Sequence, residues 1–110
     1  MDSSQLPFSE ADLFELLQKI EIADVKIEHV CGDCKSGENK YLVDGCWTIV
    51  VSISQGEWED IVLIQKDDKS VDETFIRDHY RLIETYIPSY PVQREMYCLW
   101  GEAEEERRHA

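Results

Sequence analysis

The apolar residues that follow Phe8 recur at helical spacing. They fall on one face of a helix, at Leu13, Leu16, Leu17 and Ile20. A helix with such a stripe packs that side against a core. Ser9 precedes the run as an N-cap, and Phe8 is placed to contact Leu13 as a hydrophobic staple. The sequence therefore predicts an amphipathic helix that begins at Ser9.

The apolar period changes to two after residue 24, which is typical of half-buried strands. Asp44-Gly45 is a favoured two-residue hairpin turn, and residues 54–57 carry a second turn signal. The pattern predicts a four-stranded antiparallel meander with strands over 25–29, 40–43, 46–53 and 58–65.

Closing both turns fixes which residues share a face of the sheet. Leu42 is expected opposite Trp47, and Asp60 falls on the apolar face as a misfit. The reverse face carries three large apolar residues, Val50, Ile61 and Leu63. This face is too apolar to be left wholly in water, so a second helix or another chain is expected to cover it. A homodimer is therefore one of the expected arrangements.

A second helix is predicted after a polar connector over residues 66–69. Ser70 or Asp72 caps it, and Pro88 stops it. Its packing stripe consists of Phe75, Ile76, Tyr80, Ile83 and Ile87.

A third helix is predicted from Pro91, in its first turn, with apolar residues at helical spacing over 92–103 and a solvated end over 104–109. Residues 96–100 also suit an edge strand, and that alternative stays open. The chain is thus expected to form one α+β domain over residues 1–110. Its architecture is a four-stranded antiparallel meander flanked by an N-terminal helix and one or two C-terminal helices.

The charge balance gives the main functional clue. The 110-residue chain has 24 Asp and Glu against 11 Lys and Arg, a net charge of -13, yet 43% of it is apolar. The charge therefore lies on a folded surface, whose long-range field selects basic partners. Direct binding to nucleic acid or to an anionic membrane surface is disfavoured, because both need a basic patch. Residues 1–5 lack the regions of an export signal, so a cytoplasmic protein with reduced thiols is expected.

One group of residues has metal-ligand spacing. His29, Cys31 and Cys34 include a Cys-x2-Cys loop, which can place two thiolates on one zinc ion, and Cys98 is a candidate fourth ligand. A zinc-stabilised structural or adaptor domain is therefore an alternative hypothesis. We favour a protein without a cofactor, in which Cys31, Cys46 and Cys98 are small buried residues.

A tryptophan among carboxylates marks the second hairpin turn. Trp58 is flanked by Glu57, Glu59 and Asp60. Interface hot spots favour a central aromatic residue with charge at the rim. Trp58 can also close one end of the core, and both interpretations stay open. The predicted partner-binding residues are these four together with the acidic face of the first helix, Glu10, Glu15 and Glu21.

The chain contains no phosphate loop, nucleophile elbow or metalloprotease motif. In size, charge and compactness it resembles small acidic proteins that neutralise basic, nucleic-acid-binding partners: toxin-immunity proteins, antitoxins and phage-encoded anti-defence inhibitors. We therefore expect a non-catalytic, protein-binding inhibitor. A small enzyme with an unrecognised site is a further alternative, which a concave site with converging polar groups and a shifted pKa would favour.

Overall fold

The computed structural model describes residues 7–22, 24–32, 36–55, 57–84 and 86–109. Its elements in chain order are α1 (Glu10–Glu21), β1 (Ile27–Cys31), β2 (Ser36–Val43), β3 (Trp47–Ser54), β4 (Glu57–Lys66), β5 (Lys69–Asp72), α2 (Glu73–His79), α3 (Arg81–Glu84) and α4 (Tyr90–His109). The strands form one antiparallel sheet in the order β1-β2-β3-β4-β5. The predicted α+β fold is confirmed. The fifth strand lies where a connector and a helix cap were predicted.

The turn between β2 and β3 has the predicted local conformation but a different pairing. Asp44 and Gly45 have positive φ, 56° and 70°, as in a type I′ turn. Val43 nevertheless pairs with Trp47, because Cys46 stays in the loop as an extra residue. Leu42 therefore lies opposite Thr48, and its predicted pairing with Trp47 is wrong by one residue.

Two irregularities in the β3–β4 pairing change which side chains of β4 are buried. The register shifts at Glu59 and at Val62, which lie between paired residues. Such a bulge adds one residue to a strand and redirects the side chains beside it. The buried residues of β4 consequently recur at every third position, Trp58, Ile61 and Ile64. Asp60 is exposed, so the misfit predicted on the apolar face does not arise, and Ile61 lies in the core.

The core lies between one face of the sheet and the helices. It includes Leu13, Leu17, Tyr41, Ile49, Val51, Ile64, Ile83 and Met96. The predicted start of α1 is confirmed, because Ser9 Oγ accepts a hydrogen bond from Asp12 N at 3.1 Å. On the other face of the sheet, Leu42, Val50 and Leu63 are half-buried. A homodimer through that face stays a prediction.

The second predicted helix is interrupted at Tyr80. This residue leaves the helical conformation, with φ -125° and ψ 73°, and its hydroxyl donates to Phe8 O at 2.8 Å. Burial raises the pKa of Tyr80, which keeps the hydroxyl protonated as a donor. Asp72 caps α2, one of the two predicted caps, by accepting from Phe75 N at 2.8 Å. Because the helix ends early, Ile87 does not join the packing stripe, and 57% of it is exposed.

The third predicted helix is confirmed as α4, with Pro91 in its first turn. Residues 96–100 are helical, so the edge-strand alternative is wrong. Val92 and Met96 bury one side of the helix against the core. Within the described residues, no helix combines the length and apolar character needed to cross a membrane.

Candidate protein-binding surface

Three carboxylates are exposed at the start of β4. Glu57 and Asp60 belong to paired positions of the strand, and Glu59 lies in the first bulge. The bulge places Glu59 and Asp60 between two buried positions, so both point away from the core. The hairpin end of β4 therefore presents a row of negative charge.

Trp58 itself is a core residue. Only 5% of it is exposed, and its ring packs edge-to-face on Tyr86 with the ring centroids 6.1 Å apart. Its backbone N–H donates to Gln93 Oε1 at 3.1 Å, and its indole Nε1 is buried without a partner among the described residues. Of the two interpretations, the structure supports the one in which Trp58 closes an end of the core. The partner-binding role of Trp58, which is compatible with a core position, stays a prediction.

Exposed large apolar residues occur beside Trp58: two tyrosines on α4 and an isoleucine in the segment that precedes it. Tyr90 is 75% exposed, Tyr97 39% and Ile87 57%. These three line a cleft of about 450 Å³ with Glu57, Trp58, Gln93 and Arg94. The cleft combines large apolar contact area with one carboxylate and one guanidinium. Tyr90 and Tyr97 therefore provide exposed aromatic side chains of the kind that an interface centre needs.

A second cleft adjoins the first one at Ile87. It has a volume of about 350 Å³ and is lined by Glu59, Asp60, Ile61, Glu73, Ile76, Arg77 and Ile87. Because Ile87 is shared, the two clefts form one surface along the start of β4. We call this the tip surface and define it by Glu57, Glu59, Asp60, Ile87, Tyr90 and Tyr97. Its carboxylates outnumber the arginines that line the clefts.

The segment that carries Ile87 is held by Glu21. The Glu21 carboxylate accepts from the Tyr86 hydroxyl at 2.8 Å and from Ser89 N at 3.2 Å. Hydrogen bonding by Ser89, with a smaller contribution from Tyr86, lowers the pKa of Glu21 although partial burial opposes it. Burial and the contact with Glu21 raise the pKa of Tyr86, so its hydroxyl stays protonated. In the structure Glu21 positions the loop, and the partner-binding role predicted for it stays a prediction.

The other two predicted acids of α1 lie apart from the tip surface. Glu15 is exposed and forms an ion pair with Lys19, at 3.5 Å. Glu15 also lines a cleft beside Trp47 and Lys66, at the opposite end of β4 from Trp58. Glu10 is half-buried, and its charge contributes to the raised pKa of Tyr80. The predicted site residues therefore belong to two different ends of the molecule.

Of the predicted metal ligands, the three that the structure describes, His29, Cys31 and Cys98, do not form a group placed to hold a metal ion. His29 is buried with Nε2 3.0 Å from Asn39 Oδ1, and its ring packs edge-to-face on Tyr41. Cys31 and Cys98 are exposed, as is Cys46, so the expectation that these three thiols are buried is wrong. Cys34 lies outside the described residues. Among the residues that the structure does describe, no group of three or more ligands is placed to hold a metal ion.

The sequence pattern predicts the carboxylates of the tip surface but not its tyrosines. Pro88 and Pro91 indicate only the end of one helix and the start of the next. The available signal was Tyr90 itself, a large aromatic residue between Pro88 and Pro91 and outside the apolar stripe.

Comparison with protein-family models, with curated proteins and with solved structures found no match to this chain. Function is therefore inferred from the chemistry of the surface.

Proposed function

We propose that this protein is a non-catalytic inhibitor that binds a basic, nucleic-acid-binding protein through the tip surface. The observation that supports the proposal most directly is the position of Tyr90, which is 75% exposed and lines the same cleft as Glu57, the first carboxylate of β4. Tyrosine is enriched at interface hot spots, and rim charges accelerate encounter with an oppositely charged partner. A hydrophobic anchor and a steering charge thus lie on one surface.

The distribution of acids outside the tip surface supports the same class of partner. Exposed carboxylates also occur on other parts of the fold, including Asp24, Glu28, Glu38, Asp78, Glu95 and Glu102. With a net charge of -13, the long-range field attracts basic proteins and repels nucleic acid. An inhibitor of this charge would occupy the cationic groove in which its target binds nucleic acid. Toxin-immunity, antitoxin and phage anti-defence roles in the cytoplasm all fit that chemistry.

The position of the perturbed side chains favours binding over catalysis. Among the described groups, the pKa is shifted at Glu21, Lys26, Tyr80 and Tyr86. None of these lines either cleft of the tip surface. Catalytic acids and bases with tuned pKa values normally converge on a cleft.

A pull-down from the native host across a salt series tests the proposal. Wild-type protein should retain a basic protein at low salt and release it as salt increases, because screening weakens charge attraction. Duplex DNA should compete with the inhibitor for that partner. Y90A should retain less of it, whereas F14A should behave as wild type, since Phe14 is an exposed aromatic residue of α1 outside the tip surface. Retention of no basic protein at low salt would contradict the proposal, as would a partner that binds DNA and this protein together.

A further inference from the structure

A cleft of about 510 Å³ lies at the end of the sheet opposite the tip surface. Its walls are the first turns of α1, the β2–β3 turn and the β4–β5 turn. Small-molecule sites in proteins are clefts of this size. An aromatic ring, Trp47, forms part of the wall, and Asp12, Glu15, Asp44, Asp67 and Asp68 line the rest together with lysines.

The aromatic wall of this cleft already carries a cation. Lys66 Nζ lies 4.9 Å from the centroid of the Trp47 ring, within the range of a cation–π contact. Phe8 packs on the same ring with the centroids 5.1 Å apart, which restrains its orientation. The structure thus contains a half-buried indole face that attracts positive charge.

The lysine on this ring can be displaced at small cost. A cation–π contact is a weak interaction where solvent still reaches the cation, as it does at the half-buried Lys66. Lys66 also lies directly opposite Lys69 at the end of the β4–β5 hairpin. Like charges at opposed positions repel each other, so moving the Lys66 ammonium into solvent relieves that repulsion. The third lysine of the cleft, Lys19, is paired with Glu15. The carboxylates of Asp44, Asp67 and Asp68 are exposed at the turns.

We propose that this cleft binds an arginine side chain of the basic partner, with the guanidinium on Trp47 in place of Lys66. Guanidinium stacks on aromatic rings, is weakly hydrated and donates in a fixed plane to carboxylates, so it suits this wall better than an ammonium. The inference rests on the proposed function, because it names one side chain that the partner would insert.

Titration with short capped peptides tests this site without the partner. The probes are Gly-Arg-Gly, Gly-Lys-Gly and inorganic phosphate, followed by the indole N–H resonances in proton–nitrogen NMR spectra. The resonance that disappears in W47F identifies Trp47. The arginine peptide should shift the Trp47 resonance more strongly than the lysine peptide, while the resonances of Trp58 and Trp100 stay in place. Response to phosphate alone, or no response to arginine, would overturn the proposal.

Removing the Lys66 ammonium, which would compete with the arginine for the Trp47 ring, gives the sharper test. K66M should bind the arginine peptide about three-fold more tightly than wild type, since it frees the Trp47 face. K40M changes the net charge by the same amount at a residue of β2 that is half-buried and outside the cleft. Equal affinities of K66M and K40M would contradict displacement of Lys66.

Removing the charge of Asp67 or Asp68 gives an independent test, and neither substitution changes the core. D67N and D68N should each weaken peptide binding about two-fold, because both side chains are exposed in a turn. Unchanged affinity in both variants would count against the site. A positive titration with no basic partner in the pull-down contradicts the proposed function alone. A retained partner with a negative titration contradicts only the arginine site.

Discussion

The carboxylate of Glu21 accepts a hydrogen bond from the hydroxyl of Tyr86 at 2.8 Å. Through this contact the end of α1 holds the segment that precedes α4. That segment carries Ile87 and leads directly into Tyr90, so the apolar part of the tip surface depends on a residue 65 positions away from Tyr86. Glu21 therefore influences the candidate interface through the loop, and its direct contact with a partner stays a prediction.

Replacing Glu21 by glutamine should destabilise the fold by about 1 kcal/mol at neutral pH, because a charged acceptor of two donors becomes neutral. Urea denaturation followed by circular dichroism measures the change. E15Q is the matched control on the same helix, and its exposed ion pair with Lys19 should contribute almost nothing. Equal stability of E21Q and wild type would show that the Glu21 contacts do not stabilise the loop.

The contribution of Glu21 should also depend on pH. Its pKa in the folded state lies below the ordinary value of 4.5, so the unfolded state binds the proton more readily. The stabilisation is then complete above that ordinary value and is lost as the pH falls through the folded pKa. The difference in unfolding free energy between wild type and E21Q should therefore shrink on acidification. A difference that stays constant from neutral to acidic pH would contradict this linkage.

The parts of the fold that the sequence predicted are those governed by local chemistry. The N-cap at Ser9 and the stripe of α1 need only neighbouring residues, and both were correct. The break at Tyr80 depends on a hydrogen bond to Phe8, 72 positions away, and no local pattern indicates it. The bulges at Glu59 and Val62 likewise adjust β4 to the core, which strict alternation cannot anticipate.

Truncation of Trp58 should lower the stability of the fold, and any loss of binding should follow from that destabilisation. The ring is 5% exposed and packs against Tyr86, so W58A should cost about 3–5 kcal/mol of unfolding free energy. Chemical denaturation tests this value. W58F retains most of the packing and should bind a partner as well as wild type does. If W58A is as stable as wild type and W58F loses binding, Trp58 is an interface residue and its assignment to the core is wrong.

For the tip surface, the sequence predicts the three carboxylates but not the exposed apolar residues. Glu57, Glu59 and Asp60 could be placed at a hairpin because turn signals are local. The exposure of Tyr90 and Ile87 follows from the early end of the second helix and from the Glu21 contacts, which are tertiary. Burial of an aromatic residue such as Trp58 depends on the same tertiary packing.

Replacing Tyr90 by alanine should accelerate dissociation of the partner at least ten-fold, since a hot-spot residue contributes contact that is lost mainly through the off-rate. The unfolding free energy should change by less than about 0.5 kcal/mol, because the side chain is 75% exposed. Surface plasmon resonance measures both rate constants. F14A serves as the control, with equal dissociation rates of F14A and wild type expected. Faster dissociation in F14A than in Y90A would place the interface on α1.

Charge reversal at the tip surface should change association and leave dissociation nearly unaltered. The variant E57K/E59K/D60K should bind more slowly at low salt, and its association rate should depend less on salt, because rim charges act on the encounter. The control E102K/E105K/E106K changes net charge by the same amount on exposed residues roughly 20 Å along α4 from Tyr90. If steering is local to the tip surface, the control should retain most of the wild-type association rate. Equal slowing in both variants would show that only net charge matters, and wild-type association of the tip variant would exclude this surface as the binding site.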